Sequence, residues 1–505
     1  MSRSKGRSMS RSESRSPGRS KSRSEMPPGE HRRLAFLEQP ASFFHDGDRP
    51  PRAAEVSDPY RRACSSSRGR PAAPSGHGCT RCSTATRREP SGATASRSAT
   101  LCSALLALRH IGGFGVKIAC VGGGPAGLYF ALLLKRTDPA CEVTVYERYP
   151  EGSTYGWGVT YWDELYASLR AIDPESARAI HDASVRWKTW VARVGDRPPA
   201  RISHWDGGFG IGRSVLLRIL ADRARSLGVE IEYGREISGE EELAGCDLIV
   251  ACDGVNSRLR KRHAGHFGTA VTLGRNTYLW LGTTKAFGPF TFSFAETPHG
   301  WIWCYGYGYD PGHSTCVIEC SPETWEGLGL HEATDADGLA MLEKLFADIL
   351  DGHPLIGRDD TGESARWLNF RTVTNERWYH GNVVLMGDAA HTTHYSIGAG
   401  TALALGDAAY LVHALTTERD LPSALASYER GRQRTIRRAQ KAARYSARWY
   451  ENLPRYVSLP PDQLLALLGR RHSRVLPHVP PRLYYRFDRA VEHASSWWAR
   501  ITGRG

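Results

Sequence analysis

Three glycines with fixed spacing mark the part of the chain best suited to bind a phosphate-bearing cofactor. They form a G-x-G-x-x-G frame, whose glycines and inner residues are Gly122, Gly124, Pro125, Ala126 and Gly127. Such glycines allow a tight turn, close approach of the backbone to a pyrophosphate and close packing of a helix on a strand. Glu147 follows about twenty residues later, beside Arg148, and could accept both hydroxyls of an adenosine ribose. The pattern predicts a dinucleotide site.

The elements that must position this frame are a helix and a buried strand on each side of it. Residues 117–121 form a short apolar segment, and an apolar helical segment follows from 128 to 135. A second strand, predicted from 142 to 146, ends on Glu147. The free N–H groups and positive dipole end of the helix would face the phosphates. The alternative is a glycine-rich turn in an ordinary β-α-β unit.

Two further short motifs follow buried strands later in the chain. Asp253-Gly254 opens the sequence D-G-V-N-S-R after a strand predicted from 247 to 252. Gly387-Asp388 follows a strand predicted from 382 to 386. An Asp-Gly pair alone usually marks a turn. The order and spacing of these motifs and the glycine frame are much more specific.

Glycine-bearing loops precede two predicted helices. Gly398 and Gly400 precede a helix predicted from 401 to 415. Arg213 opens a helix predicted from 214 to 227, directly after a predicted glycine-rich loop at 207–212.

Residues 270–320 form successive aromatic and β-branched runs separated by Gly and Pro. These runs predict an antiparallel sheet inserted between two halves of the dinucleotide fold. Side chains alternate between the two faces of a strand, so one face could floor a pocket for a flat substrate. Core packing is the alternative for each aromatic residue, and these residues are Tyr278, Trp280, Phe290, Phe292, Phe294, Trp301 and Trp303.

Composition divides the chain into segments. The first 115 residues hold 21 Lys and Arg against 9 Asp and Glu, whereas the remainder holds 45 and 44, so nearly all of the net charge of +13 lies in this segment. Its Arg/Ser-rich composition predicts a disordered basic extension. It could be an interaction arm, a transit peptide or sequence upstream of a misassigned start near Val116. The near-neutral body gives no indication of nucleic-acid binding.

The remaining residues are expected to form three parts. We predict a dinucleotide-binding domain from residues 116–180, 207–265 and 375–430. Residues 181–206 and 266–374 are expected to form a substrate-binding sheet domain, and residues 431–505 C-terminal helices.

The 11 cysteines are scattered along the chain. Cys79-x-x-Cys82 could be half of a zinc site, but no second pair stands at ligand spacing, so no metal site is predicted. No apolar segment has the length of a transmembrane helix, and no secretory signal follows Met1. Buried reduced thiols fit a cytoplasmic protein that has no membrane partner.

The three motifs together resemble the fingerprints of the flavoprotein aromatic hydroxylases, which are single-component FAD monooxygenases. The resemblance implies an α/β fold, with a Rossmann-like FAD-binding domain of the glutathione-reductase type, an inserted antiparallel β-sheet substrate domain and a helical C-terminus. It implies that Asp388 binds the ribityl chain of FAD, that Asp253 joins the FAD and NAD(P)H regions, and that Arg213 lies near the flavin. The helix after Gly400 would point its N-terminus at the isoalloxazine and stabilise the anionic reduced flavin.

Longer segments resemble the branch that acts on aromatic acyl thioesters, such as salicylyl-CoA 5-hydroxylase and 2-aminobenzoyl-CoA monooxygenase. Examples are YGWGVTYWDEL, GDAAHTTHYSIGAGTALAL and SARWYENLPRYV. The resemblance implies that NAD(P)H reduces FAD and that O2 forms a C4a-hydroperoxide, which hydroxylates an electron-rich ring bound to CoA or a carrier protein. His394-Tyr395-Ser396 stands where many aromatic hydroxylases have Pro, and Ala402 and Gly406 also depart from the branch. These departures leave the substrate open, and the sequence gives no oligomeric state.

An acid–base residue could deprotonate a phenol or assist an amine on the ring. His391, His394 and Tyr395 are candidates because they lie beside the Gly-Asp motif. A structural hydrogen-bonding role is the alternative for the histidines. A CoA or carrier-protein substrate also needs cations at the pocket mouth. Residues that could supply them are Arg437, Arg438, Lys441 and Arg444. The alternative is that these residues form only a solvated helix face.

Three other functions stay open. A flavin-dependent halogenase would carry W-x-W-x-I-P, but here Trp301-Ile302-Trp303-Cys304 is followed by Tyr305-Gly306. A second alternative is a hydroxylase of a free aromatic compound such as tryptophan, indole or anthranilate. The third is a non-catalytic FAD-binding protein with an Arg/Ser interaction arm.

Overall fold

The computed structural model describes residues 116–153, 156–357, 362 and 364–501. The predicted basic extension and the Cys79–Cys82 pair lie outside the described residues. Within the described ranges, no helix combines the length and the apolar character needed to cross a bilayer.

Six strands of the described residues form the first sheet, in the order β14-β15-β7-β1-β2-β6. All neighbouring pairs are parallel except β14–β15. The bounds are Lys117–Val121 (β1), Glu142–Glu147 (β2), Glu230–Tyr233 (β6), Leu248–Ala251 (β7), Tyr379–His380 (β14) and Val383–Leu385 (β15). Cofactors bind at the carboxyl ends of parallel strands, and β1, β2, β7 and β15 end at or beside the predicted motifs.

The helix Pro125–Thr137 (α1) fixes the glycine frame to this sheet. Nine consecutive residues, from Ala126 to Leu134, are buried, so the helix is covered on every side. It packs against β1 and β2 and against the helices Arg213–Ser226 (α4) and Gly400–Thr417 (α10). Its N-terminus is therefore held at the edge of the sheet where β1 ends.

In the part of the chain that the structure describes, nine strands form the second sheet, in the order β12-β8-β11-β10-β9-β4-β5-β3, with β13 also paired to β8. The pairing is antiparallel except between β4 and β9. The bounds are Gly158–Trp162 (β3), Val185–Val194 (β4), Arg197–Gly212 (β5), Ala270–Thr283 (β8), Phe290–Thr297 (β9), Gly300–Gly308 (β10), Ser314–Cys320 (β11), Leu355–Ile356 (β12) and Leu368–Thr374 (β13). The antiparallel sheet predicted at 270–320 is confirmed.

The other helices surround both sheets, and the long C-terminal ones close one face of the second sheet. Leu421–Glu451 (α11) and Pro461–Gly469 (α13) contribute side chains to the same apolar cluster as β4, β9 and β10. The remaining helices are Asp163–Ile172 (α2), Pro174–Asp182 (α3), Arg258–Arg262 (α5), Ala264–Phe267 (α6), Pro322–Gly327 (α7), Asp335–Leu345 (α8), Ala347–Leu350 (α9), Pro454–Val457 (α12) and Pro481–Ile501 (α14). Short 3₁₀ turns lie at Glu240–Leu243, Gly387–Ala389, Tyr395–Ile397 and Leu476–His478.

One sequence-based expectation was wrong. Residues 207–212 are not a loop but the last part of β5, where they pair with β3 and β4. Glycine is favoured here by close packing, because a Cβ on Gly210 would lie 2.1 Å from the carbonyl oxygen of Gly308. The predicted domain boundary at 206–207 falls inside this strand, and the division into domains stays a prediction.

Candidate active site

One cavity of about 1130 Å³ runs from the glycine frame to the aromatic face of the second sheet. Its lining includes Tyr395 and the predicted cofactor-binding residues Gly122, Gly124, Pro125, Ala126, Glu147, Arg148, Arg213, Asp253, Gly387, Asp388, Gly398 and Gly400. Gly127, His391 and His394 are predicted site residues that do not line it. The motifs that the sequence separates by hundreds of positions therefore meet around one space.

The three glycines of the frame have different surroundings. A Cβ on Gly127 would lie 2.2 Å from the carbonyl oxygen of Gly122, so this glycine lets α1 pack on the turn. Gly122 has a φ of +117°, and its own Cβ would lie 2.4 Å from the carbonyl oxygen of Cys252. A Cβ on Gly124 would meet nothing within 4 Å, because this glycine faces the cavity. Gly124 is thus the position where backbone can approach a ligand.

Glu147 lies beside the frame at the end of β2. Its Oε2 accepts a hydrogen bond of 2.7 Å from the N–H of Gly123, and its Oε1 accepts one of 2.9 Å from the N–H of Tyr149. These bonds hold the carboxylate in place, and Glu147 also lines the cavity. The guanidinium of Arg148 stacks over the ring of Tyr149 at 4.7 Å.

Arg260 joins the Asp-Gly motif to the Gly-Asp motif, and sequence reasoning missed it. Its guanidinium donates to the carbonyl of Val255 at 2.5 Å and to that of Ala389 at 3.0 Å. Asp253 accepts a 2.7 Å bond from the N–H of Arg258 through Oδ2. Its buried Oδ1 has no hydrogen-bond partner among the described residues.

Asp388 presents its side chain to the cavity. Because this cavity is surrounded by protein, burial raises the pKa of Asp388, while nearby His391 and Arg213 act in the opposite direction. Burial also lowers the pKa of Arg213, and the charges of Asp388 and Glu147 oppose that shift. Arg213 and Asp388 are therefore electrostatic neighbours, as the predicted flavin site requires.

A buried carboxylate, Asp407 on α10, holds the Gly-Asp loop. Its Oδ2 is 2.7 Å from Nε2 of His391 and accepts a 3.1 Å bond from the N–H of Gly387. Its Oδ1 accepts a 2.7 Å bond from Nε of Arg432 on α11. Burial favours the neutral acid, but His391 and Arg432 hold the pKa of Asp407 below its ordinary value. His391 thus binds Asp407, and its ring packs on Trp378.

His394 lies in a second polar cluster behind the cavity wall. Its Nδ1 is 2.8 Å from Oγ of Ser396, which is 2.7 Å from Oγ of Ser446. Arg471 donates to Ser446 at 3.1 Å and to the carbonyl of Ser396 at 2.6 Å. Burial and the charge of Arg471 lower the pKa of His394 to about 3. A neutral imidazole of such low basicity is a poor proton acceptor.

Tyr395 connects the cavity to a carboxylate that sequence reasoning also missed. Its hydroxyl donates a 2.6 Å hydrogen bond to Oε2 of Glu319 on β11. Its ring lines the cavity and lies 4.5 Å from the ring of Tyr278. Burial raises the pKa of the Tyr395 hydroxyl, so the phenol is neutral.

The second sheet gives the far end of the cavity an aromatic wall. The side chains of β8–β11 that face the cavity are uncharged, and they are Tyr278, Trp280, Phe290, Phe292, Tyr305, Tyr307 and Val317. The predicted aromatic face is therefore confirmed for Tyr278, Trp280, Phe290 and Phe292. All seven predicted residues pack in or against one apolar cluster, and the ones that do not line the cavity are Phe294, Trp301 and Trp303.

Known proteins resemble the chain over this same region. A sequence profile of the FAD binding domain matches residues 218–443. Salicyloyl-CoA 5-hydroxylase from a Streptomyces species is 36% identical over 401 residues, which cover 76% of this chain and 74% of the relative. The chain belongs to the FAD-dependent aromatic monooxygenases. A second relative is 3-hydroxy-4-methyl-anthranilyl-(aryl-carrier protein) 5-monooxygenase of Streptosporangium sibiricum. It is 34% identical to the monooxygenase, and the alignment covers 71% of this chain and 95% of the relative.

A solved structure shows the same fold as the monooxygenase. Tetrameric 2-methyl-3-hydroxypyridine-5-carboxylic acid oxygenase is 18% identical, with a TM-score of 0.55, over 70% of this chain and 96% of that chain. The predicted fold class, with an FAD-binding domain and an inserted antiparallel sheet, is confirmed. FAD is the cofactor of the monooxygenase and NAD(P)H its co-substrate, as is typical of the family.

The residues present fit FAD. The N-terminus of α1 opens on the cavity at Gly124, where nothing would obstruct a pyrophosphate. The unpartnered Oδ1 of Asp253 and the cavity-facing carboxylate of Asp388 can accept hydrogen bonds from cofactor hydroxyls. Which residue contacts which part of FAD stays a prediction.

We expect Gly124→Ala and Gly127→Ala to separate cofactor binding from folding. Gly124→Ala should weaken FAD binding at least about tenfold, because the loss of one charge-assisted hydrogen bond has about this effect. The same variant should lower the free energy of unfolding by less than about 1 kcal/mol. Gly127→Ala should lower that free energy by about 1–3 kcal/mol through overpacking. Flavin fluorescence titration and urea unfolding measure the two quantities. Wild-type FAD affinity in Gly124→Ala would contradict the predicted pyrophosphate position.

Proposed function

We propose that the monooxygenase hydroxylates an electron-rich aromatic acyl group that it receives as a thioester of CoA or of a carrier protein. The observation that carries this proposal is the uncharged aromatic wall of the cavity. This wall supports a substrate ring whose carboxyl group is bound in a thioester, because burying a free carboxylate without a cation costs free energy.

The size of the cavity supports two ligands. Its volume of about 1130 Å³ exceeds the roughly 300–1000 Å³ of pockets for single drug-sized ligands. The end lined by the glycine frame is the part that suits a dinucleotide. The end lined by the aromatic wall then receives the substrate ring. Tyr395 and Ile397 to Gly400 also line the cavity.

The cation that lies closest to Tyr395 in the hydrogen-bond network is already committed to protein groups. Arg471 donates to Ser446, to the carbonyl of Ser396 and to the carbonyl of Leu468. A substrate carboxylate would compete with these three acceptors. The same argument favours a thioester, whose carbonyl needs no counter-charge.

The relatives support the same substrate class. Salicyloyl-CoA 5-hydroxylase is named for a CoA thioester, and the Streptosporangium enzyme for an anthranilyl group on an aryl-carrier protein. Both names describe a ring that carries a hydroxyl or amino group. Such substituents enrich the ring in electrons, which favours attack by an electrophilic oxygen.

The protein contributes positioning and electrostatics. FAD, when bound, supplies electron transfer from NAD(P)H and the activation of O2. The N-terminus of α10, at Gly400, opens on the cavity and would stabilise negative charge near it. The aromatic wall excludes water and fixes the plane of the ring.

The exposed face of α11 suits an acidic carrier protein. Seven cations lie on this face, and no carboxylate of the described residues forms an ion pair with them. They are Arg430, Arg434, Arg437, Arg438, Lys441, Arg444 and Arg448. Near its C-terminal end the same helix places Tyr450 in the cavity lining, so a carrier docked on α11 would lie beside the substrate end.

A cytoplasmic location is also part of the proposal. All seven cysteines of the described residues are free thiols, and six of them are buried. Reduced thiols of this kind are typical of a reducing compartment.

A substrate panel tests the proposed function. We expect 2-hydroxybenzoyl-CoA or 2-aminobenzoyl-CoA to accelerate NADH or NADPH oxidation in air at least about tenfold, with conversion of the thioester to a hydroxylated product. The free acids and tryptophan should not do so, because they lack the thioester that the site is proposed to accept. Equal or better conversion of a free aromatic would contradict the thioester proposal and favour the free-aromatic alternative.

Charge reversal on α11 tests the carrier-protein part of the proposal. A variant with Arg437→Glu, Arg438→Glu, Lys441→Glu and Arg444→Glu should raise KM for a carrier-bound substrate about tenfold at low salt, and the effect should shrink as salt increases. A small thioester analogue without CoA phosphates should keep its wild-type KM. The matched control reverses four exposed cations elsewhere, namely Arg170, Arg178, Lys188 and Lys344. An equal rise in KM in this control would show that net charge, and not α11, is responsible.

A further inference from the structure

A buried carboxylate lies beside the aromatic wall, on the same face of the sheet. Glu319, on β11, is 1% exposed and points to the same face of the sheet as Val317, which lines the cavity. In the strand register it lies opposite Tyr278 of β8 and Trp303 of β10. The side chains of β8–β11 that line the cavity on this face are uncharged, so the buried Glu319 beside them needs a physical reason.

Two hydrogen bonds hold the Glu319 carboxylate, and neither comes from a cation. Tyr395 donates to Oε2 at 2.6 Å, and the amide of Asn276 donates to Oε1 at 2.7 Å. No Lys, Arg or His of the described residues forms an ion pair with it. Burial raises the pKa of Glu319 to about 7, although both hydrogen bonds act against this shift. The carboxyl group can therefore exist in either protonation state near neutral pH.

Tyr395 is the link between this carboxylate and the cavity. Its hydroxyl is bonded to Glu319, and its ring is part of the cavity lining. Its raised pKa keeps it protonated, so it can pass a proton on without becoming a stable anion. The two histidines beside it are less suitable, because His391 is bonded to Asp407 and the pKa of His394 is lowered to about 3.

We propose that Glu319 is the final proton acceptor for the ring hydroxyl of the substrate, which it reaches through the hydroxyl of Tyr395. This inference rests on the proposed function, since it requires a phenolic ring at the aromatic wall. Tyr395 is the catalytic residue that contacts the ring hydroxyl, and Glu319 acts through it.

The transfer balances without an oxidant or reductant. The O–H bond of the substrate breaks, its proton bonds to the Tyr395 oxygen, and the original Tyr395 proton moves to Oε2 of Glu319. The electron pair stays on the substrate oxygen and enriches the ring toward electrophilic attack. Glu319 becomes neutral, and the reverse transfer restores its charge when the product oxygen regains a proton.

Other titratable groups surround this pair and influence the same titration. Glu451 of α11 raises the pKa of Glu319, and Arg471 acts on the neighbouring tyrosines. The groups of β8, β10, β11 and α11 that interact electrostatically with the pair are Tyr278, Tyr305, Cys320 and Tyr450. None of these additional groups forms a hydrogen bond to the Glu319 carboxylate in the described structure.

The variants Glu319→Gln and Tyr395→Phe test the inference. The side-chain oxygen of Gln can still accept the hydrogen bond from Tyr395. Its NH2 group can donate to Oδ1 of Asn276, an atom that has no hydrogen-bond partner among the described residues. Matched controls outside the cavity are Glu429→Gln, which also alters a carboxylate that accepts a hydrogen bond, and Tyr161→Phe, which also removes a buried tyrosine hydroxyl.

The first readout is the ionisation of a bound phenol, without turnover. The oxidised FAD-loaded protein is titrated with pH in complex with 2-hydroxybenzoyl-CoA, and the phenolate absorption band is followed. We expect the phenolate to form near pH 7 in the wild type and in both controls. In Tyr395→Phe it should form at least about one pH unit higher, a tenfold change in the equilibrium, because the hydroxyl that donates to the phenolate is lost. In Glu319→Gln the phenol should ionise in a single step, whereas the wild type should show two coupled steps. An unchanged titration in either variant would overturn the inference.

A thioester that produces no spectral change in the wild type would contradict the proposed function rather than the proton path. The same titration with methyl 2-hydroxybenzoate, which is uncharged and has no CoA, then tests the Glu319–Tyr395 pair on its own. Wild-type ionisation of this ester in Glu319→Gln would again overturn the inference.

The second readout needs no ligand. The folded-state pKa of Glu319 is about 7, above its ordinary value of 4.5, so the wild type should lose stability as pH rises through this interval. Glu319→Gln cannot titrate, so its free energy of unfolding relative to the wild type should increase between these pH values. A pH-independent difference would overturn the inference.

Steady-state rates add a third readout. Both variants should lower kcat for the hydroxyl-bearing thioester at least about a hundredfold, the usual contribution of general acid–base catalysis, with little change in KM. The double variant should lose no more than either single one, because the two residues act as a unit. Losses that multiply in the double variant would show independent structural roles.

Discussion

The buried charge of Asp407 constrains the positions of both halves of the active site. Its carboxylate is fully enclosed, with an exposed fraction of 0%, and binds Gly387, His391 and Arg432. Removing one partner from such a buried pair leaves an uncompensated charge, which costs about 3–5 kcal/mol. The loop held in this way carries Asp388 toward the cofactor end and Tyr395 toward the aromatic wall. The cluster of Asp407, His391 and Arg432 therefore sets the distance between the cofactor end and the aromatic end of the cavity.

The two sheets contribute opposite electrostatic environments to the same cavity. The parallel sheet places glycines, a helix N-terminus and carboxylates at its carboxyl edge, which suits a charged and hydroxylated cofactor. The antiparallel sheet offers uncharged aromatic side chains on its cavity face. Glu319 lies beside these aromatic side chains, and its connection to Tyr395 gives the otherwise apolar end a group that can hold a proton.

Much of the cofactor end could be predicted because its chemistry depends on local sequence. The glycine frame, Asp253 and Asp388 lie within short motifs, and the strands before them are buried apolar runs of the expected length. The segment at 207–212 was misjudged because glycines usually mark turns, whereas here they allow β5 to approach β10 and the ring of Trp187. Close tertiary packing determined the outcome there.

The acid–base residues show where a single sequence becomes insufficient. Glu319 lies in a strand of β-branched residues and cysteines that gave no sign of its bond to Tyr395, which is 76 positions away. Nothing in the sequence distinguishes Arg260 from Arg258 and Arg262, although only Arg260 of these three is buried. His391 was a candidate acid–base residue because it lies beside the Gly-Asp motif, but its imidazole binds a carboxylate 16 residues further along the chain. These roles depend on three-dimensional neighbours.

The origin of the added oxygen tests the central claim most directly. The full chain, loaded with FAD, would be given NADH or NADPH and 2-hydroxybenzoyl-CoA under isotopically heavy O2, and the product would be examined by mass spectrometry. The account predicts one heavy oxygen atom on the aromatic ring and none in the thioester. A product that takes its oxygen from water, or cofactor oxidation that leaves the ring unchanged, would contradict it.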